Sequence, residues 1–454
     1  MRILLVTHYF PPYDHIGSAR TGKTAKYLER FGHDVRVLAA RDTLTPFATM
    51  PVEIPADHVV YTPWISWFFR TDLALNRLAQ RMRGASARDG SRAAAHSPPV
   101  EAKSDTTRRE SGTTRAGKRI RDALRTVFYF PDAQIGWLPF AIRAGRQLLK
   151  TWQADVILAS SGPYTALIIA NRLSREFDIP WVAEFRDLWV ENHQYQHPDW
   201  RRTIEARLEQ TTVSTASGLV TVSEPLAERL RETYSADVEV VYNGFDPGDH
   251  GQGASGSNAP YLSIVYTGWV YPQHTLAPLF EAVHKLALGP SDVRIIFYRA
   301  DATLVREVAA KFGVAEMVET RAGVEFMESL RLQREADVLL YLSWNDPAQT
   351  GIFSGKLLQY FGAGRPILAV GSVDNAPARV IIDRQLGFAS ADSGEIAKRI
   401  SGWIAEKRDT GKVKELPPQA AAVYSRENQT RRLERFLADV AATRRTIYPR
   451  AARG

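Results

Sequence analysis

Residues 354–364 read Ser-Gly-Lys-Leu-Leu-Gln-Tyr-Phe-Gly-Ala-Gly and lie between two short apolar runs, 338–342 and 366–370. This order predicts a strand, a tight loop, a helix that ends at glycine, and a second strand. A helix that begins at Ser-Gly presents unpaired backbone N–H groups. Those groups and the helix dipole favour an anion, most often a phosphate. The segment therefore predicts an α/β domain with an anion site at the start of this helix.

The same alternation of apolar runs and amphipathic stretches continues through the whole chain. In the first half, the predicted strands are 3–7, 35–39, 156–159, 181–185 and 219–222, and the predicted helices are 21–31, 139–152, 164–176 and 199–214. In the second half, the predicted strands are 238–242, 263–267, 293–298, 338–343 and 367–370, and the helices include 276–288, 303–312 and 356–361. Strands separated by helices favour parallel sheets that are covered on both faces.

At 454 residues the chain is too long for one ordinary core, so two domains are expected. Segment 243–260 is rich in Gly, Asp, Ser and Pro and predicts a hinge between domains 1–242 and 261–424. The last predicted helix, 425–445, is longer than the second domain needs, and we expect segment 425–454 to cross back to the first domain. Segment 84–118 has almost no large apolar residues and predicts a disordered insertion.

Composition narrows the class of protein. Hydrophobic residues make up 44% and charged residues 24%, as in soluble globular proteins. The absence of cysteine excludes disulfides, thiolate metal sites and a cysteine nucleophile. A net charge of +8 favours anionic ligands, but no zinc-finger spacing or RNA-recognition motif occurs, so nucleic acid is not expected as a partner. No apolar run reaches the length of a membrane span, and the chain begins with a strand rather than a signal peptide, which predicts a cytoplasmic protein.

Segment 64–69 is a cluster of aromatic and apolar residues, and the predicted basic helix 72–83 follows it. An aromatic cluster beside such a helix can lie on an anionic membrane, here the inner face of the plasma membrane. A lid or a core contact on the first domain explains the same residues. Both interpretations stay open at this point.

Two strand ends carry glycines that would let a backbone approach a ligand closely. The first strand leads into His8 and then Gly17. The glycines there do not have the spacing of a dinucleotide fingerprint, so a nicotinamide cofactor is disfavoured. A plain turn glycine is the alternative to a ligand-binding role for Gly17. Strand 263–267 ends at Gly268. Ligands of open α/β sheets lie at the carboxyl ends of the strands. Lys356, in the first turn of its helix, adds a positive charge for a diphosphate, although an exposed surface lysine is the alternative.

Strand 181–185 ends in Arg186 and Asp187. Asp187 could orient a hydroxyl group or take its proton, and an ion pair with Arg186 is the alternative role. His193 and His197 are four residues apart, which is a metal-ligand spacing on a helix. Pro198 and the loop composition argue against a helix there and no third ligand is evident, so no metal site is predicted.

Taken together, these segments resemble the GT-B glycosyltransferases of the family-4 type over nearly the whole chain, in particular a bacterial subgroup that builds polysaccharides and other cell-surface glycans. The number and order of the motifs carry the resemblance. The motifs are MRILLVTHYFPP at residues 1–12, FPDAQIGWLPFAIRAG at 130–145, AEFRDLW at 183–189, VTVSEPLAERL at 220–230, VVYNGFD at 240–246, YTGWVY at 266–271 and SGKLLQYFGAGRPILA at 354–369.

The resemblance implies two doubly wound Rossmann-like domains that face each other across a cleft, with a nucleotide-sugar on the C-terminal domain and the acceptor on the N-terminal domain. The residues implied to contact the donor diphosphate are Gly17, Gly268, Phe353, Ser354, Gly355 and Lys356. Gln359 is implied to bind the ribose, and Asp187 to be the catalytic group that orients the reactants. His8, Arg186 and Trp189 are implied to lie on the acceptor or sugar side. No cofactor is implied, and no metal is needed if the helix dipole and Lys356 neutralise the diphosphate.

Two departures from the family pattern stand out. Gly351 and Gln359 occupy the places of two glutamates, and Trp269 stands where an arginine is often found. The resulting hypothesis is a glycosyltransferase that moves a sugar, with retention, from a nucleoside-diphosphate-sugar to a glycan or polyprenyl-linked acceptor in cell-surface polysaccharide synthesis. A nucleotide-sugar epimerase on the same fold is one alternative. A catalytically weak nucleotide- or glycan-binding assembly protein is the other.

Overall fold

The computed structural model describes residues 1–41, 48–65, 126, 129–192, 195, 197–234, 236–250, 256–271, 274–343 and 354–447. The chain forms two compact units. Unit 1 comprises Met1–Thr221, Leu226–Glu239 and the chain from Glu434 onward, and unit 2 comprises Val222–Pro225 and Val240–Leu433. The predicted insertion 84–118 and the predicted basic helix 72–83 lie outside the described residues.

Unit 1 is built on a seven-stranded sheet in the order β3-β2-β1-β4-β5-β6-β7. Its strands are β1 (Arg2–Thr7), β2 (Asp34–Ala40), β3 (Val59–Thr62), β4 (Val156–Ser160), β5 (Trp181–Phe185), β6 (Gly218–Thr221) and β7 (Val238–Val240). The pairs from β3 across to β6 are all parallel. Every residue of β4 and β5 is buried, as expected for central strands covered on both faces.

The helices between these strands are α1 (Ile16–Arg30), α2 (Leu138–Thr151), α3 (Thr165–Phe177), α4 (Asp199–Val213) and α5 (Glu224–Tyr234). Helix α3 shows why they form. Its buried residues Ala166, Ile169, Ala170 and Leu173 recur at spacings of three and four, so one stripe of the helix faces the sheet.

Unit 2 is built on a six-stranded sheet of parallel pairs in the order β10-β9-β8-β11-β12-β13. Its strands are β8 (Leu262–Thr267), β9 (Val293–Tyr298), β10 (Val318–Arg321), β11 (Val338–Leu342), β12 (Ile367–Val370) and β13 (Gly387–Ser390). Its helices are α6 (Ala277–Lys285), α7 (Ala302–Lys311), α8 (Phe326–Glu335), α9 (Gly355–Ala363), α10 (Ala376–Asp383) and α11 (Ser393–Thr410). Helix α12 (Arg426–Ile447) follows, and its part from Glu434 onward belongs to unit 1, where Glu434 pairs with His33 (2.8 Å).

Each face of the second sheet has its own core. Ile264 and Phe280 belong to one core, and Val265 and Leu357 belong to the other. Because alternate residues of β8 enter opposite cores, helices cover both faces and the sheet is doubly wound. The strand order reverses between β8 and β11, and this is the place where open α/β sheets bind ligands.

The structure confirms the predicted fold class of two doubly wound Rossmann-like sheets. Every predicted strand is present, each within two residues of its predicted limits. The helix predicted at 356–361 is α9, and its predicted stop, Gly364, is the C-cap with φ 68°.

Candidate active site

The switch point of unit 2 is lined on one side by the end of β8. Gly268 follows β8 with φ 116°, in the region that favours glycine, and its N–H donates to the carbonyl of Tyr298 (2.9 Å). A Cβ atom at this position would lie 3.1 Å from Cε of Lys356. The glycine therefore gives the lysine room to lie against the end of the strand.

The other side of the switch point is the N-terminus of α9. Ser354 is the N-cap, and its Oγ accepts from the N–H of Leu357 (3.3 Å). Within the described part of the chain, the N–H groups of Gly355 and Lys356 have no acceptor. Gly355 is exposed, and open space surrounds the position of its missing Cβ. These two amides can therefore donate to an added anion. Phe353 and Gly351 lie outside the described residues.

Lys356 is the charged group of this site. Its Nζ lies 3.6 Å from the centroid of the Tyr266 ring. Burial lowers the pKa of Lys356 to about 7. No carboxylate pairs with this ammonium among the described residues, and burial is the cause of its lowered pKa. Burial and the neighbouring Lys356 lower the pKa of His274 to about 4, so this imidazole is neutral at pH 7. The site can thus hold one positive charge that an anion would stabilise.

Gln359 lies in a hydrogen-bond network at the same strand end. The amide nitrogen of buried Gln333 donates to Thr267 Oγ1 (3.1 Å) and to Gln359 Oε1 (3.5 Å). The hydroxyl of Tyr360 accepts from the N–H of Thr267 (3.1 Å). The network fixes Gln359 close to Gly268. Sequence reasoning missed Gln333, and its only signal was an uncharged polar residue on the buried face of a helix.

Trp269 lies beside the same glycine and is half exposed, at 52%. The Arg299 guanidinium carbon is 5.9 Å from the centroid of its ring. Arg299 has φ 64°, and its Cγ would be 3.3 Å from a Cβ on Gly323, in the loop after β10. An exposed aromatic face and a second cation therefore lie at the carboxyl ends of β8 and β9.

In unit 1, Gly17 and Arg186 are brought together. The Arg186 side chain donates to the carbonyls of Ser161 (Nε to O, 2.7 Å) and Gly162. A Cβ on Gly17 would overlap with Nη1 of Arg186. The Gly17 N–H donates to Nδ1 of His15 (3.0 Å), so the chain itself already uses the amide that was predicted to contact a phosphate. Gly17 therefore makes room for a guanidinium that joins the ends of β4 and β5.

The remaining predicted residues of unit 1 differ in exposure. Asp187 is exposed at the end of β5, and Arg186 bonds to carbonyls of the β4 loop. His8 is fully buried, with its ring edge-on to Trp64 (5.0 Å between centroids). Trp189 is 1% exposed and stacks on Tyr164, with the centroids 4.7 Å apart. Asp187 is thus the one of these four side chains that is open to solvent. The Trp64 contact fits the core interpretation of that residue, and segment 66–83 lies outside the described residues.

A buried ion pair joins α1 to the end of β5. Nη2 of Arg20 lies 2.7 Å from Oε1 of Glu184, and both side chains are 3% exposed. Burial acts to raise the pKa of Glu184, but the charge and hydrogen bonds of Arg20 hold that pKa below its ordinary value. Sequence reasoning missed this pair because nothing in the local pattern connects two residues so far apart in the chain.

We expect Gly268→Ala to lower the free energy of unfolding by about 1–3 kcal/mol, because an alanine at φ 116° is strained. The new methyl group would also press on Lys356 and should weaken anion binding. The matched control is Gly402→Ala, in the middle of α11, where open space surrounds the missing Cβ. Thermal unfolding of both variants would measure the difference. Equal melting temperatures would contradict the prediction.

Comparison with known proteins gives a family match over part of the chain and a set of similar folds. Residues 101–249 match the family model described as Glycosyltransferase Family 4. No curated protein is significantly similar in sequence. Among solved structures, Anabaena HepE in complex with UDP has a TM-score of 0.53 at 13% identity, over 97% of this chain and 100% of that one. A glycosyltransferase from Rickettsia africae also has a TM-score of 0.53 at 13% identity, over 97% of this chain and 98% of that one. Pneumococcal O-GlcNAc transferase GtfA, in complex with UDP and GlcNAc, has a TM-score of 0.51 at 11% identity, over 97% of this chain and 99% of that one.

The structural likeness shows that the chain has the GT-B fold. The match over residues 101–249 is of the family 4 type, which confirms the resemblance predicted from the sequence.

Two features concern membranes and metals. Within the segments that the structure describes, no helix is both long enough and apolar enough to cross a membrane. In the same segments, no three His, Asp or Glu side chains are grouped so that they could hold a metal ion. His193, one of the two histidines considered above, lies outside the described residues.

Proposed function

We propose that this chain is a glycosyltransferase that takes its sugar from a uridine-diphosphate donor bound to unit 2 and transfers it to a glycan or polyprenyl-linked acceptor bound to unit 1. The observation that carries the proposal is the site between β8 and α9. It combines two available amides, a helix N-terminus, and a lysine without a carboxylate partner among the described residues. The choice of uridine follows the UDP complexes of HepE and GtfA.

The diphosphate fits this site for electrostatic reasons. Helix N-termini attract phosphate through their N–H groups and their dipole. Lys356 adds a charge-assisted hydrogen bond, which is about twice as strong as a neutral one. Since burial disfavours the lone ammonium, a phosphate beside it restores a favourable charge balance. The glycine at position 268 lets the phosphate approach the backbone closely.

The nucleoside is assigned to the polar network and the exposed indole. The Gln359 amide, held by Gln333, can bond to the ribose hydroxyls, although a neutral amide binds more weakly than the glutamate it replaces. Trp269 and Arg299 offer an aromatic face and a cation for the base. Backbone groups in the loop 321–325 would contact the nucleotide base and so help to select which base is bound.

The reaction needs placement and stabilisation of the leaving group more than a strong base. The bond between the anomeric carbon and the phosphate oxygen breaks, and a bond from that carbon to the acceptor hydroxyl oxygen forms on the same face. The hydroxyl proton passes to the departing diphosphate. Lys356 and the α9 amides stabilise the negative charge that develops there, and exposed Asp187 orients the acceptor hydroxyl. We propose no metal in this step, and we place the product in cell-surface polysaccharide synthesis, with a peripheral membrane contact for the enzyme.

A comparison of UDP with UMP tests the donor site, because the two differ only in the second phosphate. We expect UDP to bind about 10- to 100-fold more tightly by calorimetry, the range expected for a charge-assisted contact. Equal affinities would overturn the assignment of the diphosphate to α9. Incubation with UDP-sugars then separates the alternatives. Conversion of the donor to an isomeric UDP-sugar without an acceptor would indicate an epimerase, and tight binding without transfer would indicate an assembly protein.

A further inference from the structure

A cavity of about 310 Å³ opens in unit 1 directly after β5. This volume is at the lower end of the range for small-molecule sites. Aromatic and polar side chains share its wall: Tyr164, Trp189, Asn192, Tyr195, His197 and Glu205. The cavity therefore begins two residues after the exposed carboxylate of Asp187.

Trp189 is the most informative residue of the wall. It is 1% exposed, its ring is parallel to that of Tyr164 within 3°, and the Tyr164 hydroxyl donates to the carbonyl of Leu188 (2.7 Å). These contacts hold the indole in one orientation. Its Nε1 nevertheless has no hydrogen-bond acceptor among the described residues. Because a buried donor without an acceptor is costly, a ligand oxygen would complete this site.

The charged groups of the wall are already neutralised. Glu205 accepts from Nε of Arg201 (2.5 Å), and both side chains are fully buried. The other Arg201 nitrogens donate to the carbonyls of Thr126, Tyr129 and Pro131. Four of the five N–H groups of this buried guanidinium are therefore engaged, and its charge is paired with Glu205.

The tyrosine and histidine side chains of the wall are neutral at pH 7. Burial, together with nearby Glu205, raises the pKa of Tyr195 to about 12, so its hydroxyl keeps its proton. Burial and the charge of Arg201 lower the pKa of His197, so the imidazole at the rim is neutral at pH 7. Trp189, Tyr164 and Asn192 carry no charge. A ligand here would meet aromatic faces and neutral hydrogen-bonding groups.

We propose that this cavity binds an uncharged sugar ring of the acceptor glycan, an inference that rests on the proposed transferase function. The C–H face of a sugar ring is apolar and fits an aromatic wall, while its hydroxyls match Trp189 Nε1, Asn192 and His197. Among the described wall residues there is no cation for an anionic headgroup. Exposed Arg202 lies 4.9 Å from the centroid of the Tyr195 ring but is not part of the wall. A purely apolar chain would leave the indole N–H without a partner.

Saturation-transfer NMR with methyl glycosides of neutral hexoses, run in the presence of UDP, tests the inference. The methyl glucuronide serves as the charged counterpart of methyl glucoside. The Trp189→Phe variant keeps an aromatic ring but removes the N–H. The matched control is Trp181→Phe, on β5 and equally buried, whose indole already has Thr215 Oγ1 as acceptor (3.2 Å).

We expect saturation transfer from the wild-type protein to at least one neutral methyl glycoside and little to the glucuronide. Trp189→Phe should bind that glycoside about tenfold more weakly, the effect of losing one well-placed hydrogen bond. Trp181→Phe should bind it like the wild type even if its melting temperature falls. Absence of any transfer to the wild type, equal transfer to the glucuronide, or equal loss in both variants would overturn the inference.

Titration with UDP alone keeps the two proposals separate. Normal UDP binding without glycoside binding would refute the sugar cavity and leave the donor site standing. Glycoside binding that is lost in Trp189→Phe, in a protein that does not bind UDP, would refute the proposed donor and leave the cavity standing.

Discussion

The Lys356→Met variant is expected to bind UDP about a hundredfold more weakly than the wild-type protein. Among the described residues, this lysine is the cation that packs against Gly268, and a charge-assisted bond to phosphate accounts for an effect of that size. Methionine has a similar length and fits beside the Tyr266 ring, so the cavity should stay filled. Calorimetric titration with UDP would measure the change.

The same variant is expected to unfold at a temperature equal to or higher than the wild type at pH 7. Burial lowers the Lys356 pKa from 10.5 to about 7, so between these values the unfolded chain binds the proton more tightly than the folded chain. Folding stability therefore rises with pH across that window, and at pH 7 the buried lysine opposes folding. Weak binding combined with a lower melting temperature would indicate a structural role instead.

The pH dependence of UDP binding gives a second readout. A bound diphosphate raises the Lys356 pKa, so affinity should be highest below pH 7 and fall by up to about tenfold per pH unit above it. Lys356→Arg should keep its affinity at high pH, because arginine stays charged. Lys285→Met, at an exposed lysine of α6, is the control and should bind UDP normally. An identical pH profile for the wild type and Lys356→Met would refute the role of the lysine.

The Glu184→Leu variant is expected to lose about 3–5 kcal/mol of stability, because it leaves the buried guanidinium of Arg20 without a counter-charge. Burial lowers the pKa of nearby Arg186, and the charge of Arg20 lowers it further, so these two guanidinium groups already oppose each other. Without Glu184 that repulsion would grow. Chemical denaturation followed by tryptophan fluorescence would measure the loss.

Two controls define this effect. Glu176→Leu breaks the exposed pair with Arg146 and should change the stability little, because solvent screens that pair. The double variant Arg20→Met/Glu184→Leu removes both buried charges and should recover much of the loss. Because the folded pKa of Glu184 lies below 4.5, its contribution is present above that value and is lost as the pH falls below it. If Glu184→Leu and Glu176→Leu cost the same, the buried pair does not stabilise unit 1.

The central strands of both sheets could be predicted because they are almost entirely apolar. The strands that the sequence analysis missed are β3, β10 and β13, and all three are outer strands of their sheets. Strand β10 has the sequence Val-Glu-Thr-Arg without a buried residue, so no apolar run marks it. Its pairing with β9 comes from the tertiary fold rather than from a local signal.

The candidate site could be predicted only as far as backbone patterns reach. The start of α9 and Gly268 follow from a strand, a small-residue loop and a helix, and the structure brings them together with Lys356. The partners of Arg186 did not follow, because the sequence suggested Asp187 while the guanidinium reaches the carbonyls of the β4 loop. The lowered pKa of Lys356 could not be predicted from the sequence either, because it depends on burial against Tyr266.

The contact between Gly17 and Arg186 should couple the residues allowed at these two distant positions of the chain. A methyl group at position 17 would displace the Arg186 guanidinium, which donates hydrogen bonds to the carbonyls of Ser161 and Gly162. Variation at the two sites should therefore be correlated: related chains that keep the arginine must keep the glycine, and chains with a shorter residue at position 186 gain the freedom to carry alanine or serine at position 17.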